Sequence, residues 1–237
     1  MQSTVRKQYR TGVSRLSPHA DYLETKRFYR DKAVADDYDR HRFGSRRRQR
    51  RDARKWRALQ RALALADGVR TTLDVPCGTG RFTGRLVESG YDVIATDISS
   101  EMMSVARRSV EGHERMAGFV QAEAEALPFR DGALDCVMSI RFLFHADGNT
   151  RVRILQEMRR VTRRWLIVDY RHCYNVHYWV WRIKRRLGLT DAPLERVSRA
   201  QMEAEFAAAG VSVRKVFPVT RVFSDKWIVI GETKTAA

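Results

Sequence analysis

The feature that most constrains this chain is a regular alternation of short apolar runs with helical patterns between residues 70 and 170. Helical patterns begin near Arg81 and cover residues 100–110, where Ser100 is the expected N-cap, and residues 149–163. Alternation of this kind predicts a parallel sheet covered by helices on both faces. The predicted strands are TTLDV (71–75), YDVIATD (91–97), GFVQAEA (118–124), ALDCVMSI (133–140) and WLIVDY (165–170).

The C-terminal part of the sequence departs from this alternation. Residues 198–210 have a helical pattern that ends at Gly210. Two strand-like runs follow, residues 211–223 and 226–233, with only Ser224 and Asp225 between them. Strands joined so tightly are antiparallel. We therefore predict an α/β fold with a Rossmann-like doubly wound sheet, mostly parallel, that ends in an antiparallel C-terminal hairpin.

The first 66 residues lack strand-like alternation and have no glycine between Gly12 and Gly44, so we expect N-terminal helices there. The predicted organisation is an N-terminal helical region at residues 1–66, which includes a basic helix, followed by a ligand-binding domain at 67–237. An insertion at residues 171–197 is expected within that domain.

The chain is strongly basic, with a net charge of +17, and much of this charge is concentrated in residues 40–61. That segment has eleven Lys or Arg residues and one acid, and it carries Trp56, Leu59, Leu63 and Ala66 (just beyond it) at helical spacing. Two interpretations remain: an amphipathic helix that docks one apolar stripe, or a dedicated phosphate-binding surface. The charge favours anionic partners such as nucleic acid or anionic lipid without choosing between them.

Targeting signals and clustered cysteines are both missing from the sequence. The N-terminus has no apolar secretion signal, and no window has the roughly 18 apolar residues that span a bilayer. Cys77, Cys136 and Cys173 are widely spaced, so we expect neither disulfides nor a metal site. We predict a cytoplasmic location, with peripheral contact at the inner membrane surface as an option.

The run LDVPCGTGRF (73–82) predicts a strand, a glycine turn and a helix that together hold a nucleotide-like ligand. A nucleoside triphosphate loop requires GxxxxGK[ST], but Arg81 and Phe82 follow Gly80 here. A dinucleotide loop prefers GxGxxG, and the third glycine, Gly84, is one place late. Both phosphorylated ligands are therefore disfavoured.

Two acids at predicted strand ends favour a cationic ligand instead. Asp74 lies just before the turn, where a carboxylate repels pyrophosphate but suits an amine. Asp97 ends the second strand and can accept from both hydroxyls of a ribose. S-adenosylmethionine (SAM) has an ammonium, a sulfonium, a ribose and no phosphate, so SAM is the predicted cofactor.

Three successive segments, LDVPCGTGRF, ATDISSEMM and QAEAEALPFRDGALDCVMS, resemble the motifs of class I SAM-dependent methyltransferases. The sequence is most similar to the branch that includes the quinone-biosynthesis methyltransferases (methyltransferase type 11/25), over about residues 70–237. That pattern has glycine where this chain has Pro76. Proline fixes φ and donates no N–H, so we expect it to make the loop stiffer while the loop still binds its ligand.

The resemblance implies a cofactor site along the strand ends. Asp74 would orient the methionine end, Gly78 and Gly80 would admit the amino acid and ribose, and Asp97 would bind the ribose hydroxyls. Structural alternatives stay open: Asp97 as a helix cap, Glu123 as an ordinary loop acid, Met102 as a core residue and the glycines as turn formers. The remaining implied contacts are Ile98 and Met102 on the adenine, Glu123 and the Ala124 N–H at its edge, Ser139 and Arg141 at the methyl-donor end, and Tyr38 and Arg42 from a helical lid at residues 28–43.

The implied reaction is an in-line displacement at the sulfonium methyl, for which positioning can supply roughly 7–11 kcal/mol. A general base adds about 10²–10⁴-fold when the nucleophile is a hydroxyl or an acidic carbon. The candidates are His145, after the fourth strand, and Tyr170 and His172, after the fifth. The alternative for His145 is a histidine that caps or packs its loop. Asp169 would support the site.

The segment at residues 171–189 predicts an aromatic and basic helix, with Val176, Trp179, Val180, Ile183 and Leu187 on one face. It could be a cap helix packed over the active site, a contact for a lipid surface or an apolar substrate, or a nucleic-acid contact.

Three functions compete at this point. The first is methyl transfer to a small acceptor, hydrophobic or derived from the membrane. The second is an RNA methyltransferase that uses the arginine run at residues 40–61. The third is a SAM-binding module without turnover, held at an anionic membrane or a partner.

Overall fold

The computed structural model describes residues 45–190, 196–220 and 225–233. The predicted lid at residues 28–43, with Tyr38 and Arg42, lies outside these residues, as does the rest of the N-terminal region before Ser45.

The core of the fold is a seven-stranded sheet in the order β3-β2-β1-β4-β5-β7-β6. Strands β1 to β5 run parallel, whereas β7 is antiparallel to both β5 and β6. The predicted fold class, with its antiparallel C-terminal hairpin, is therefore confirmed. The strands are β1 (Thr71–Asp74), β2 (Asp92–Asp97), β3 (Met116–Gln121), β4 (Leu134–Ser139), β5 (Thr162–Arg171), β6 (Val211–Pro218) and β7 (Lys226–Thr233).

Helices cover both faces of the sheet, as the alternating pattern predicted. Helices α1 and α2 share one apolar cluster, with α3 packed beside α2, and helices α4 and α6 share the cluster on the other face. Among the described helices, none is long and apolar enough to cross a membrane. The helices are α1 (Arg46–Leu63), α2 (Arg81–Glu88), α3 (Ser100–Ser109), α4 (Gly148–Val161), α5 (Val176–Arg186) and α6 (Arg199–Ala208).

Helix α1 docks one apolar stripe on the sheet and exposes its arginines. Leu59, Leu63 and Ala66 are buried against β5, β6 and β7, and Trp56 is partly buried. The interpretation of an amphipathic helix is therefore confirmed. This helix shares its core with the sheet, and the domain boundary between residues 66 and 67 stays a prediction.

Two local details differ from the sequence-based expectations. Ser99, rather than Ser100, caps α3: its hydroxyl accepts from the backbone N–H of Met102 at 3.1 Å, because Ser100 is already the first helical residue. The connection between β6 and β7 is also longer than two residues, since β6 ends at Pro218 and β7 begins at Lys226.

The strand order places the ligand-binding crevice. The chain proceeds from β1 outward to β3 and then returns to add β4 on the other side of β1. In sheets of this kind ligands bind at the carboxyl ends of the strands, where the order reverses. Asp74, Asp97 and Ser139 are the last residues of β1, β2 and β4, so they lie at this edge.

Gly231 gives a direct test of the packing between β7 and α6. A Cβ at Gly231 would lie 2.6 Å from Val211 Cγ1 and 2.7 Å from Phe206 Cε1, inside the core. We expect Gly231→Ala to lower the free energy of unfolding by about 1–3 kcal/mol, because the added methyl overpacks the core. Chemical denaturation monitored by circular dichroism measures this change.

Gly84→Ala is the matched control. Gly84 lies inside α2, and the nearest atom to an added Cβ is Val110 Cγ1 at an ordinary 3.7 Å. Here the same substitution should stabilise the protein by roughly 0.5–1 kcal/mol through helix propensity. Equal effects at both positions would contradict the described packing of β7.

Candidate cofactor and acceptor site

The loop after β1 keeps its backbone anchors on both sides of Pro76. The N–H of Val75 donates to the Met138 carbonyl at 2.9 Å, and the N–H of Cys77 donates to the Thr96 carbonyl at 2.8 Å. The Val75–Pro76 peptide bond is cis. Pro76 therefore lies between two residues whose N–H groups are hydrogen-bonded, and its own lack of an N–H removes neither of these two bonds.

Asp97 joins this loop to the loop after β2. Its Oδ2 accepts from the N–H of Gly78 at 2.8 Å, and its Oδ1 accepts from the N–H of Ser99 at 2.9 Å. The carboxylate is 4% exposed. Each oxygen keeps a further lone pair, so the group can hold the loop and still accept from a ligand hydroxyl. The cap of α3 is the Ser99 side chain, so capping alone does not account for Asp97.

Asp74 lies beside Asp97 and carries an unusual ionisation. Burial raises the pKa of Asp74 to about 7, and the charge of Asp97 adds to this, against the lowering effect of the Thr83 hydroxyl, which donates at 2.7 Å. Burial likewise raises the pKa of Asp97. Within the described residues no cationic side chain contacts either acid. A cationic ligand would supply the missing counter-charge.

The two glycines of the loop serve different purposes. Gly78 has φ of 54°, and a Cβ built on it would meet nothing within 4 Å, so its backbone borders open space that a ligand can approach. Gly80 has φ of 79°, and its Cβ would lie 2.9 Å from Ala106 in α3. Close packing between helices therefore requires glycine at position 80, and its identity gives no separate support to ligand binding.

The residues predicted to contact an adenine lie after β2 and β3. Ile98 is partly buried and Ala124 is buried, whereas Glu123 is exposed. Met102 is only 2% exposed, which fits the core alternative better than a ligand contact. The roles of Ile98, Glu123 and Ala124 stay predictions.

The predicted methyl-donor end follows β4. The Ser139 hydroxyl is buried and has no hydrogen-bond partner among the described residues. Arg141 has φ of 69°, a left-handed conformation that is uncommon for residues other than glycine. The carboxylate of Asp169 accepts from the Arg141 N–H at 2.6 Å and holds the backbone there. A buried hydroxyl without a partner, next to a strained turn, is typical of a ligand site.

A buried ion pair connects helix α1 to this turn. The ammonium of Lys55 donates to Asp169 Oδ2, and both side chains are almost fully buried. Burial alone would raise the pKa of Asp169, but the charges of Lys55 and Lys226, together with the hydrogen bonds from Lys55 and the Arg141 N–H, outweigh it and keep the pKa below its usual value. Sequence analysis missed Lys55. Its position four residues before Leu59, on the docked stripe of α1, was the available signal.

A second acid anchors the same helix. Asp52 is 7% exposed and forms ion pairs with Arg81 at 2.7 Å and Arg85 at 2.8 Å, both on α2. Helix α1 is thereby fixed to the helix that follows the glycine loop. The basic segment thus contributes two buried charges to the core beneath the site.

Two of the predicted general bases, Tyr170 and His172, are buried and engaged by other residues of the fold, and their catalytic roles stay predictions. Tyr170 is buried, and its hydroxyl donates to Glu205 Oε2 at 2.7 Å on the face of the sheet opposite Asp169. Burial, reinforced by Glu205, raises its pKa well above the usual value. The buried His172 has its Nδ1 occupied, because it accepts from the Tyr174 N–H at 3.1 Å, and its ring stacks on Trp227 at 4.4 Å. Both residues support the fold.

His145 is the remaining candidate base. It ends a 3₁₀ turn, Leu143–His145, which follows β4 at the carboxyl edge of the sheet. The ring is partly buried and lies 4.2 Å from the Phe144 ring, centroid to centroid. Its role in catalysis stays a prediction.

Helix α5 exposes its apolar face, for which packing over the active site was one of three interpretations. Trp179 is 52% exposed and Ile183 is 58% exposed, so this face does not pack on the sheet. Tyr178 and Trp181, on another face, stack on each other at 5.7 Å. The interpretation as a packed cap helix is therefore wrong for the apolar face. The exposed apolar face consists of Val176, Trp179, Val180, Ile183 and Leu187.

Similarity to known proteins supports the class that the three sequence motifs resemble. Residues 73–165 match a family model described as "Methyltransferase domain". A demethylmenaquinone methyltransferase from Clavibacter sepedonicus is 43% identical over 83 residues, which make up 35% of this chain and 33% of that protein. A ubiquinone/menaquinone biosynthesis C-methyltransferase from Hahella chejuensis is 39% identical over 108 residues, 42% of this chain and 43% of that protein. The chain thus spans less than half the length of these relatives.

Solved structures share the fold at low sequence identity. Magnesium protoporphyrin IX methyltransferase from Synechocystis, crystallised with bound S-adenosylhomocysteine, has a TM-score of 0.66 at 17% identity, covering 88% of this chain and 99% of that one. A protein of Pyrococcus horikoshii has a TM-score of 0.60 at 19% identity, covering 76% and 90%. The fold is therefore the one found in class I SAM-dependent methyltransferases, and residues 73–165 are similar to a methyltransferase domain. The relatives of this chain are those of the quinone-biosynthesis branch, and the resemblance predicted from the three motifs is confirmed.

The raised pKa of Asp74 gives a prediction with opposite effects on stability and binding. The unfolded chain releases this proton near pH 4, so the contribution of Asp74 to stability is full below that pH and is lost as the pH rises through about 7. Asp74→Asn should therefore raise the melting temperature at pH 8 by a few degrees, with a gap that closes toward pH 5. Binding of S-adenosylhomocysteine, measured by calorimetry, should weaken about tenfold.

Asp135→Asn, at the amino end of β4, is the control for this pH dependence. Burial acts to raise the pKa of Asp135, but hydrogen bonds from Thr71 and Arg70 hold it below the usual value. Its loss should destabilise the protein at pH 8 and leave cofactor binding unchanged. A stability difference for Asp74→Asn that is independent of pH would contradict the assigned ionisation.

Proposed function

We propose that this protein is a SAM-dependent methyltransferase that acts on a small, hydrophobic or membrane-derived acceptor. The observation that carries the proposal is the pair of buried carboxylates, Asp74 and Asp97, which flank the open backbone at Gly78 and contact no cation among the described residues. A phosphorylated ligand would be repelled there. The residues therefore fit a cationic nucleoside.

The chain's own residues provide positioning. When bound, SAM supplies an electrophilic methyl group on a sulfonium. Asp97 would accept from the ribose hydroxyls while it fixes Gly78, and Asp74 would balance the charge of the methionine end. The unpartnered hydroxyl of Ser139 lies at the end of β4 and can orient either ligand. His145 would take the proton of an acceptor hydroxyl or acidic carbon.

The apolar character of the acceptor is inferred from α5. The helix follows the end of β5, at the same edge of the sheet as the glycine loop, and it presents an apolar face with Trp179 and Ile183 more than half exposed. A face of this composition can receive an apolar body. The sequence relatives named for quinone biosynthesis act on acceptors of a related kind according to their names, which supports the proposal.

RNA methylation is the second candidate, and the outward face of α1 is the observation that favours it. Arg50, Arg54 and Arg57 are exposed on that face, beside other arginines of the helix. Such a surface would bind nucleic acid with a steep dependence on salt. The exposed arginines face away from the docked stripe and are solvated. The helix can therefore fold without a nucleic-acid partner.

Transfer of label from methyl-labelled SAM into fractionated cell extract tests these functions together. We expect label in the lipid or apolar small-molecule fraction with the full-length protein, because the site is flanked by an apolar face. Label in RNA would support the second candidate instead. SAM binding without label in any fraction would leave a non-catalytic binding module.

Two variants of β2 make this experiment specific. Asp97→Ala removes the carboxylate that holds Gly78 and Ser99, and it should weaken SAM binding at least about tenfold and reduce transfer. Asp92 lies at the other end of the same strand, where it pairs with Arg70 and Arg115 at the surface. Asp92→Asn should therefore leave SAM binding and methyl transfer unchanged. An unchanged dissociation constant for Asp97→Ala would refute the proposed cofactor site.

We also propose that α5 contacts an anionic bilayer surface, which would place the protein peripherally at the cytoplasmic side of a membrane. Its last turn carries Lys184, Arg185 and Arg186 next to the exposed apolar face. Aromatic and apolar residues flanked by cations are typical of helices that lie in the headgroup layer, where each cation adds about 1 kcal/mol.

Co-sedimentation with vesicles tests this contact. The protein should bind vesicles that contain phosphatidylglycerol at low salt and not vesicles of phosphatidylcholine alone. The double variant Trp179→Asp/Ile183→Asp should lose binding at least about tenfold, because two charges would enter the interface. Leu65→Asp alters another exposed leucine, 47% exposed after α1, and should bind as the unaltered protein does. Equal binding to both kinds of vesicle, or none, would exclude the contact.

A further inference from the structure

The edge of the sheet beyond the proposed methyl-donor end is rich in buried or partly buried cations. Arg171 is the last residue of β5, and its Cα pairs with that of Lys226, the first residue of β7. Arg196 lies beside them, with its side chain 12% exposed. Together with Lys55 and Arg141, these make five cations, which interact with two acids, Asp169 and Asp225, among the residues that the structure describes.

Arg171 is the member of this group with the least satisfied side chain. Its guanidinium stacks on the Phe144 ring, with Cζ 3.7 Å from the ring centroid. Its Nε is inaccessible to solvent and has no hydrogen-bond partner, and no acceptor in the described residues receives a bond from the guanidinium. Burial, with the charge of Arg196, lowers the pKa of Arg171.

An unsatisfied guanidinium of this kind has a chemical preference. A buried cation is costly unless it is paired, and stacking on a ring leaves its N–H donors directed outward in the plane of the guanidinium. Carboxylate and phosphate oxygens match the planar fork of a guanidinium and accept two bonds at once. The nearby acids are already engaged: Asp169 bonds Lys55 and the Arg141 N–H, and Asp225 bonds Arg196 at 2.9 Å.

The location relates this cation to the methyl-donor end. Ser139 pairs with Val168 across β4 and β5, and Arg171 follows Val168 by three residues. At the rise of a parallel strand, the Arg171 Cα lies about 10 Å beyond the level of Ser139 along the strand direction. Phe144, which stacks on Arg171, directly precedes His145. An anion at Arg171 would therefore be a remote part of an acceptor whose reacting atom lies nearer Ser139.

We propose that Arg171, with Arg196 and Lys226 beside it, binds an anionic oxygen group of the methyl acceptor, a carboxylate or a phosphate. This inference rests on the proposed function, since it assigns the acceptor to the same edge of the sheet. The acceptor is then amphiphilic, with an anionic group at the end of β5 and an apolar body toward α5. The anionic group is a handle for binding, and no covalent step involves it.

Calorimetric titration of the full-length protein with simple probes tests the inference. Benzoate represents a carboxylate, inorganic phosphate a phosphate, and benzamide a neutral analogue of benzoate. Each is titrated at constant ionic strength into the free protein and into protein saturated with S-adenosylhomocysteine. We expect benzoate or phosphate to bind and benzamide not to bind, and the tighter of the two anions identifies the acceptor group.

Three variants assign the binding to Arg171. Arg171→Gln should weaken anion binding by about tenfold or more while leaving the affinity for S-adenosylhomocysteine unchanged. Arg171→Lys keeps the charge without the fork and should retain part of the binding. Arg61→Gln is the matched control, because it removes another guanidinium stacked on a phenylalanine, Phe217 at 5.0 Å, and it should bind anions normally.

The outcomes separate this inference from the proposed function. If the protein binds S-adenosylhomocysteine but neither anion, the inference about Arg171 is overturned and the proposed function stands. Equal binding of benzoate and benzamide, or equal anion binding by Arg171→Gln, also overturns the inference. If the unaltered protein does not bind S-adenosylhomocysteine, the result counts against the proposed function. The titrations of the free protein then still decide whether Arg171 binds an anion.

Discussion

A carboxylate that folding buries at the end of a strand must receive hydrogen bonds or a counter-charge, and this requirement organises the whole carboxyl edge of the sheet. Asp97 meets it with two backbone N–H groups, and in doing so it joins the loop after β1 to the loop after β2. Asp169 meets it with a lysine and one N–H group, and so joins α1 to the turn after β4. The loops of the site therefore have their shape before any ligand arrives.

The same edge is divided by charge. Asp74 and Asp97, on β1 and β2, form an acidic half whose protons are held more tightly than usual. Arg171 and Lys226, on β5 and β7, belong to a half where cations are in excess among the described residues. Fields of opposite sign on two sides of one cleft favour a cationic cofactor on one side and an anionic partner on the other. This arrangement would orient the cofactor and the proposed anionic acceptor toward the strand ends between them.

The sequence predicted those parts of the structure that depend on local pattern. The alternating strands and helices and the antiparallel C-terminal hairpin could be inferred because apolar runs and helical spacing are local signals, and Asp74 and Asp97 were found because each ends such a run. Lys55 was missed because its partner, Asp169, is 114 residues away and because it is one of many basic residues in its segment. Tyr170 was assigned to the site because proximity in sequence does not show which face of β5 a side chain occupies. The exposure of α5 likewise depends on what packs against it, which no local pattern reveals.

The ion pairs of α1 bear on how this chain can vary over time. An arginine-rich helix looks like a stretch where one basic residue can replace another freely, and at outward positions such as Arg54 and Arg57 nothing in the described fold opposes that. Positions 52 and 55 are different, since each neutralises a charge that belongs to another part of the molecule. Within one helix, substitutions at the surface are tolerated, while substitutions at two positions depend on residues elsewhere in the chain. Related sequences should therefore change Lys55 and Asp169 together or not at all.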